Sequence, residues 1–61
     1  MVVKDLFNFI FDSICVYKEI GDVEFEDLYQ GNIKDAPIDI LNMEVKSIGA
    51  KRKDVVDIRV E

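Results

Sequence analysis

The chain predicts a small α+β domain: a sheet of about four strands, mostly antiparallel, covered by an N-terminal helix, with a short helical turn between the two strand pairs. Three observations predict it. Apolar residues fall at helical spacing at the start of the chain. Alternation of apolar and polar residues recurs further along and is cleanest at the end. Between these runs Gly21, Gly31 and Gly49 stand like punctuation, with Pro37 the single proline.

Val3, Leu6, Phe7, Ile10 and Phe11 share one side of a helix over residues 3–11, with Lys4, Asp5 and Asn8 opposite. Phe9 lies off that stripe and is expected to be partly exposed; Asp12 and Ser13 end the helix. Ile14 to Lys18 is β-branched and aromatic and reads as a strand, followed by a turn at Glu19-Ile20-Gly21-Asp22. Val23 and Phe25 alternate with Glu24 and Glu26. The phase breaks at Asp27-Leu28, which predicts a bulge or a bend before the run resumes through Gly31.

Asp35 is placed to cap a helical turn over residues 36–41, with Pro37 in its first turn. Residues 43–50 read as a strand with Val45 and Ser47 on one face and Glu44, Lys46 and Ile48 on the other. Lys51-Arg52-Lys53-Asp54 is a charged turn. Val56, Ile58 and Val60 against Asp57, Arg59 and Glu61 form a strand with one wet face, paired in a hairpin with the strand before it.

Sixty-one residues make a single domain, 1–61. A chain of this size buries only ~60% of the surface its unfolded form exposes. Apolar residues are 49% and charged residues 34% of the chain, a globular balance. Cys15 is the only cysteine, so no internal disulfide is possible, which points to a reducing, cytoplasmic setting. The apolar run from Val2 to Phe11 carries Lys4, Asp5 and Asn8, and is read neither as a signal peptide nor as a membrane span.

The net charge is −5, unevenly spread. Residues 1–44 hold ten acidic against three basic side chains, a net of −7; residues 45–61 hold three acidic against five basic, a net of +2. An acidic body argues against direct nucleic-acid binding, which needs clustered Lys and Arg. It suits a basic protein partner.

Chemistry is scarce. Histidine is absent, so neither a Cys–His nor a Ser–His pair can be built, and no enzyme is expected. Cys15, inside Ile14-Cys15-Val16, reads as a small buried hydrophobe. Asp22, Glu24, Glu26 and Asp27 are the densest acidic cluster; with Tyr29 they are the candidate partner contact, against the plainer reading of a solvated sheet face. The spacing of a calcium loop is missing there, and neither a metal nor a cofactor is expected. Lys51, Arg52 and Lys53 are the candidate contact for a phosphate or an acidic ligand, against the plainer reading of a charged turn.

The run from Leu28 to Pro37, followed by Ile40 to Ile48 and preceded by Val3-Lys4-Asp5-Leu6, resembles short acidic proteins of phages and prophages of Gram-positive bacteria. That resemblance carries no catalytic residue over. It implies a phage-type binding or regulatory protein, and, because such proteins include anti-CRISPR-like inhibitors of host defence, an acidic mimic of nucleic acid or an oligomeric sponge for a nucleotide signal. The leading expectation is a non-enzymatic module acting by protein–protein contact. A structural homo-oligomer using an open sheet edge and Phe9 is the other alternative.

Overall fold

The computed structural model describes residues 1–10 and 13–61, with the backbone alone at Lys51. The chain forms a 3-10 turn (Val3–Leu6), β1 (Ser13–Glu19), β2 (Phe25–Asn32), a second 3-10 turn (Ile33–Asp35), one helical turn α1 (Ile38–Leu41), β3 (Val45–Arg52) and β4 (Val55–Val60).

The strands make one sheet in the order β2-β1-β4-β3. β1–β2 and β3–β4 are antiparallel hairpins, joined through a parallel β1–β4 seam. The sheet is therefore mixed rather than mostly antiparallel. The cause is the crossover through the second 3-10 turn and α1. It returns the chain to the end of the sheet where β2 began, so β3 runs parallel to β2 and β4 parallel to β1.

All three short helical pieces contribute to one face. Val3, Ile33 and Ile40 from the crossing segments meet Ile14 and Val16 of β1 and Ile58 and Val60 of β4 in a buried cluster. The seam sets Ile14 opposite Val56 and Val16 opposite Ile58, so the β-branched residues of both central strands stack on that face. Each fully buried Val or Ile contributes about 2 kcal/mol. The other face of the sheet has no layer over it among the described residues.

The N-terminal helix is shorter than expected. Only Val3–Leu6 is helical, in 3-10 form, followed by turns through Phe9. Nine residues with three Phe among them are below the length at which a helix holds itself. Tertiary bonds take over instead: Val3 N–H donates to the Met43 carbonyl and Val45 N–H to the Met1 carbonyl, while locally Val2 N–H donates to the Asp5 carboxylate at 2.9 Å. The apolar stripe survives the change, since Leu6, Phe7 and Ile10 pack on the core beside Val3. Phe11 and Asp12, expected on the stripe and at the helix end, lie outside the described residues.

Two further expectations are corrected. Asp35 does not cap α1; it closes the second 3-10 turn, which Asn32 starts by accepting Lys34 N–H on Oδ1 at 2.9 Å, and Pro37 precedes α1 without a side-chain cap. Val45 and Ser47 do not share a face. Val45 pairs with Val60 and Ser47 with Arg59, across a register shift that sends Ser47 to the uncovered side and Ile48 opposite Ile58. The bulge expected at Asp27-Leu28 is present: Val16 faces Tyr29 and Tyr17 faces Asp27, leaving Leu28 as the extra residue.

Candidate functional site

β2 forms one edge of the sheet and β3 the other. Around β2 the sequence concentrates carboxylates, and the fold keeps them at the surface. Glu19 ends β1, Asp22 lies in the turn, Glu24 precedes β2, and Glu26 and Asp27 sit on it. Three large apolar side chains are exposed among them, Ile20 (55%), Val23 (85%) and Phe25 (52%). The turn and the start of β2 thus hold apolar side chains in water among carboxylates.

The acidic cluster is split between two faces. The Ile20 N–H bond to the Glu24 carbonyl sets the phase of the β1–β2 ladder. By alternation, Glu24 and Glu26 turn their backbone toward β1 and their side chains toward the helical side. Phe25 and Asp27 turn their backbone outward and their side chains onto the uncovered face. Past the bulge, Gln30 repeats that outward pattern. Tyr29 departs from the expected contact set. It is half-buried, packs against the core, and its hydroxyl donates to the Asn32 carbonyl at 2.7 Å. Gly31, at φ 149°, leaves room for that ring, since a Cβ there would sit 3.0 Å from the Tyr29 hydroxyl.

The uncovered face carries a cleft of about 450 Å³ lined by Cys15, Tyr17, Phe25, Asp27, Gln30, Arg52 and Asp57. Cys15 forms its floor, buried as expected, with its thiol directed to Asp27 Oδ1 at 3.9 Å. Tyr17 and Phe25 form one wall, edge to face with centroids 5.6 Å apart. Arg59 stacks over Phe25, its guanidinium carbon 5.3 Å from the ring centre, and pairs with Glu19. Arg52 pairs with Asp57 at 2.9 Å, and that hydrogen bond raises the guanidinium pKa above its ordinary value.

Of the expected basic cluster, only Arg52 and Lys53 have described side chains. Arg52 folds onto the sheet face, Lys53 is exposed in the turn beside Asp54, whose φ is 60°, and the side chain of Lys51 lies outside the described residues. Among the described residues, no group of three His, Cys, Asp or Glu side chains comes together to hold a metal, and no helix is long and apolar enough to cross a membrane. Comparison with family models, with curated proteins and with solved structures finds no match.

Sequence reasoning missed Tyr17, Glu19, Gln30, Asp57 and Arg59 as members of one surface. Their signal is the phase of alternation in β1 and β4. Cys15 and Tyr17 share a face, as do Asp57 and Arg59, but only the parallel seam sets Cys15 opposite Asp57 and Tyr17 opposite Arg59.

Proposed function

We propose that this chain is a non-catalytic recognition module that takes a basic protein partner at the β1–β2 end of its sheet, as a cytoplasmic, phage-type regulatory protein. The observation that supports this reading best is the exposed triplet Ile20, Val23 and Phe25 set among Glu19, Asp22, Glu24, Glu26 and Asp27. Apolar contact supplies affinity, and the surrounding carboxylates select cationic partners and speed their encounter.

The experiment is affinity capture from cells with the native chain and with the Glu24→Lys/Glu26→Lys double variant, at physiological salt. The native chain is expected to retain a stoichiometric basic protein that the double variant loses. Equal recovery by both, or recovery of none by the native chain, contradicts the reading.

A structural homo-oligomer is the second reading. It is favoured by Phe9, 78% exposed on the turn that follows the first 3-10 segment. Sedimentation decides it: a strict monomer at high micromolar concentration rules it out.

A further inference from the structure

Among the described residues β2 pairs with β1 alone, so its outer side presents a row of unpaired backbone groups. The ladder phase assigns that row to Phe25, Asp27 and Gln30. The side chains of the same three residues line the cleft on the uncovered face. Before the bulge at Leu28, the outward backbone groups of Phe25 and Asp27 thus lie beside a partly apolar cleft along one edge, with Gln30 beyond the bulge.

We propose that the partner's contacting segment is an extended, basic strand that adds to β2 as a fifth strand. Its backbone pairs with Phe25 and Asp27, ahead of the bulge at Leu28, and a Lys or Arg on its cleft-facing side meets Asp27 beside the Tyr17–Phe25 wall. This inference rests on the basic-partner reading above and adds to it the mode and the register.

The choice of occupant follows from charge. Asp27 has the neutral Cys15 thiol as its hydrogen-bond partner, whereas Asp57 in the same cleft is already paired with Arg52. Along the edge and its turn, Asp22, Glu24, Glu26 and Asp27 give a run of like charge. A second copy pairing β2 against β2 would set these carboxylates against each other, while a cationic strand neutralises them. Strand addition draws affinity from main-chain hydrogen bonds and specificity from alternate side chains, and here those alternate side chains face the cleft.

The test uses a synthetic eight-residue peptide alternating Lys and Val, and the same peptide N-methylated at alternate residues to remove the inward-facing donors. Binding is followed by amide shifts and hydrogen exchange on the full chain. The unmodified peptide is expected to protect the Phe25 and Asp27 amides and to bind about tenfold more tightly than its N-methylated form. Asp27→Asn is expected to weaken the unmodified peptide while leaving the free protein's fold signals in place.

Equal binding by both peptides without edge protection, but sensitive to Glu24→Lys/Glu26→Lys, overturns strand addition and leaves the basic-partner reading standing. Binding by neither overturns both. Concentration-dependent protection of the same amides without peptide assigns the edge to a second copy and overturns the proposed occupant.

Discussion

The two edges of this sheet are treated differently by the rest of the chain. At the entry to β3 the N-terminal segment is clipped on: Val2 bridges Glu44, and bonds run from Val45 N–H to Met1 and from Val3 N–H to Met43. Two register shifts in the β3–β4 pairing, between Val45 and Ser47 and between Gly49 and Arg52, break the regularity that an incoming strand would need. These are the usual devices by which an edge is blunted. At β2 the single bulge lies at Leu28, and the Phe25–Asp27 stretch before it has no such cover among the described residues. The contrast is one of degree: the N-terminus ties down the entry to β3 at Glu44 and Val45, whereas the start of β2 carries no such clip among the described residues.

The strongest way to break the contrast is to change the shape of β2 itself. Gly31→Val places a branched side chain at φ 149° and against Tyr29, and is expected to destabilise by about 2–3 kcal/mol. Chemical denaturation measures it; a loss under half a kilocalorie would show that Tyr29 moves away freely. Next comes the clip on β3. Val3 is fully buried, and Val3→Ala is expected to cost about 2 kcal/mol and to accelerate exchange of the Val45 amide, leaving the Phe25 amide unchanged. Asp5→Ala removes only the acceptor for Val2 N–H, and is expected to cost about 1 kcal/mol with the same local signature.

Substitutions at the exposed acidic end should hardly register in stability. Glu24→Lys/Glu26→Lys is expected to stay within about 0.5 kcal/mol of the native chain by denaturation. A large loss would mean that these carboxylates serve the fold. Folding raises the pKa of the Arg52 guanidinium, chiefly through its hydrogen bond to Asp57. A cation whose pKa is raised on folding contributes at every pH below its ordinary value, and that contribution fades only in strong alkali.

Much of the fold was legible in the residues. The alternation in β4, the β3–β4 hairpin, the bulge at Leu28 and the buried Cys15 all follow from local pattern. The N-terminal stripe was also legible, because Val3, Leu6, Phe7 and Ile10 reach the core; its helical form was not, because Met43 and Val45 capture the backbone there through contacts distant in sequence. The parallel seam was invisible for the same reason. Phase within a strand marks a face, but only strand order decides which faces adjoin, and so Tyr17, Arg59 and Asp57 could not be joined to Phe25 and Asp27 beforehand. The bond from the Tyr29 hydroxyl to the Asn32 carbonyl was not legible, because it depends on how the ring lies against Gly31.

Native-state hydrogen exchange on the free chain tests the difference between the edges most directly. The Val45 amide should be protected, and the Phe25, Asp27 and Gln30 amides should exchange near the rates of unstructured peptide. Equal protection at the two edges, or protection at β2 with rapid exchange at Val45, would contradict it.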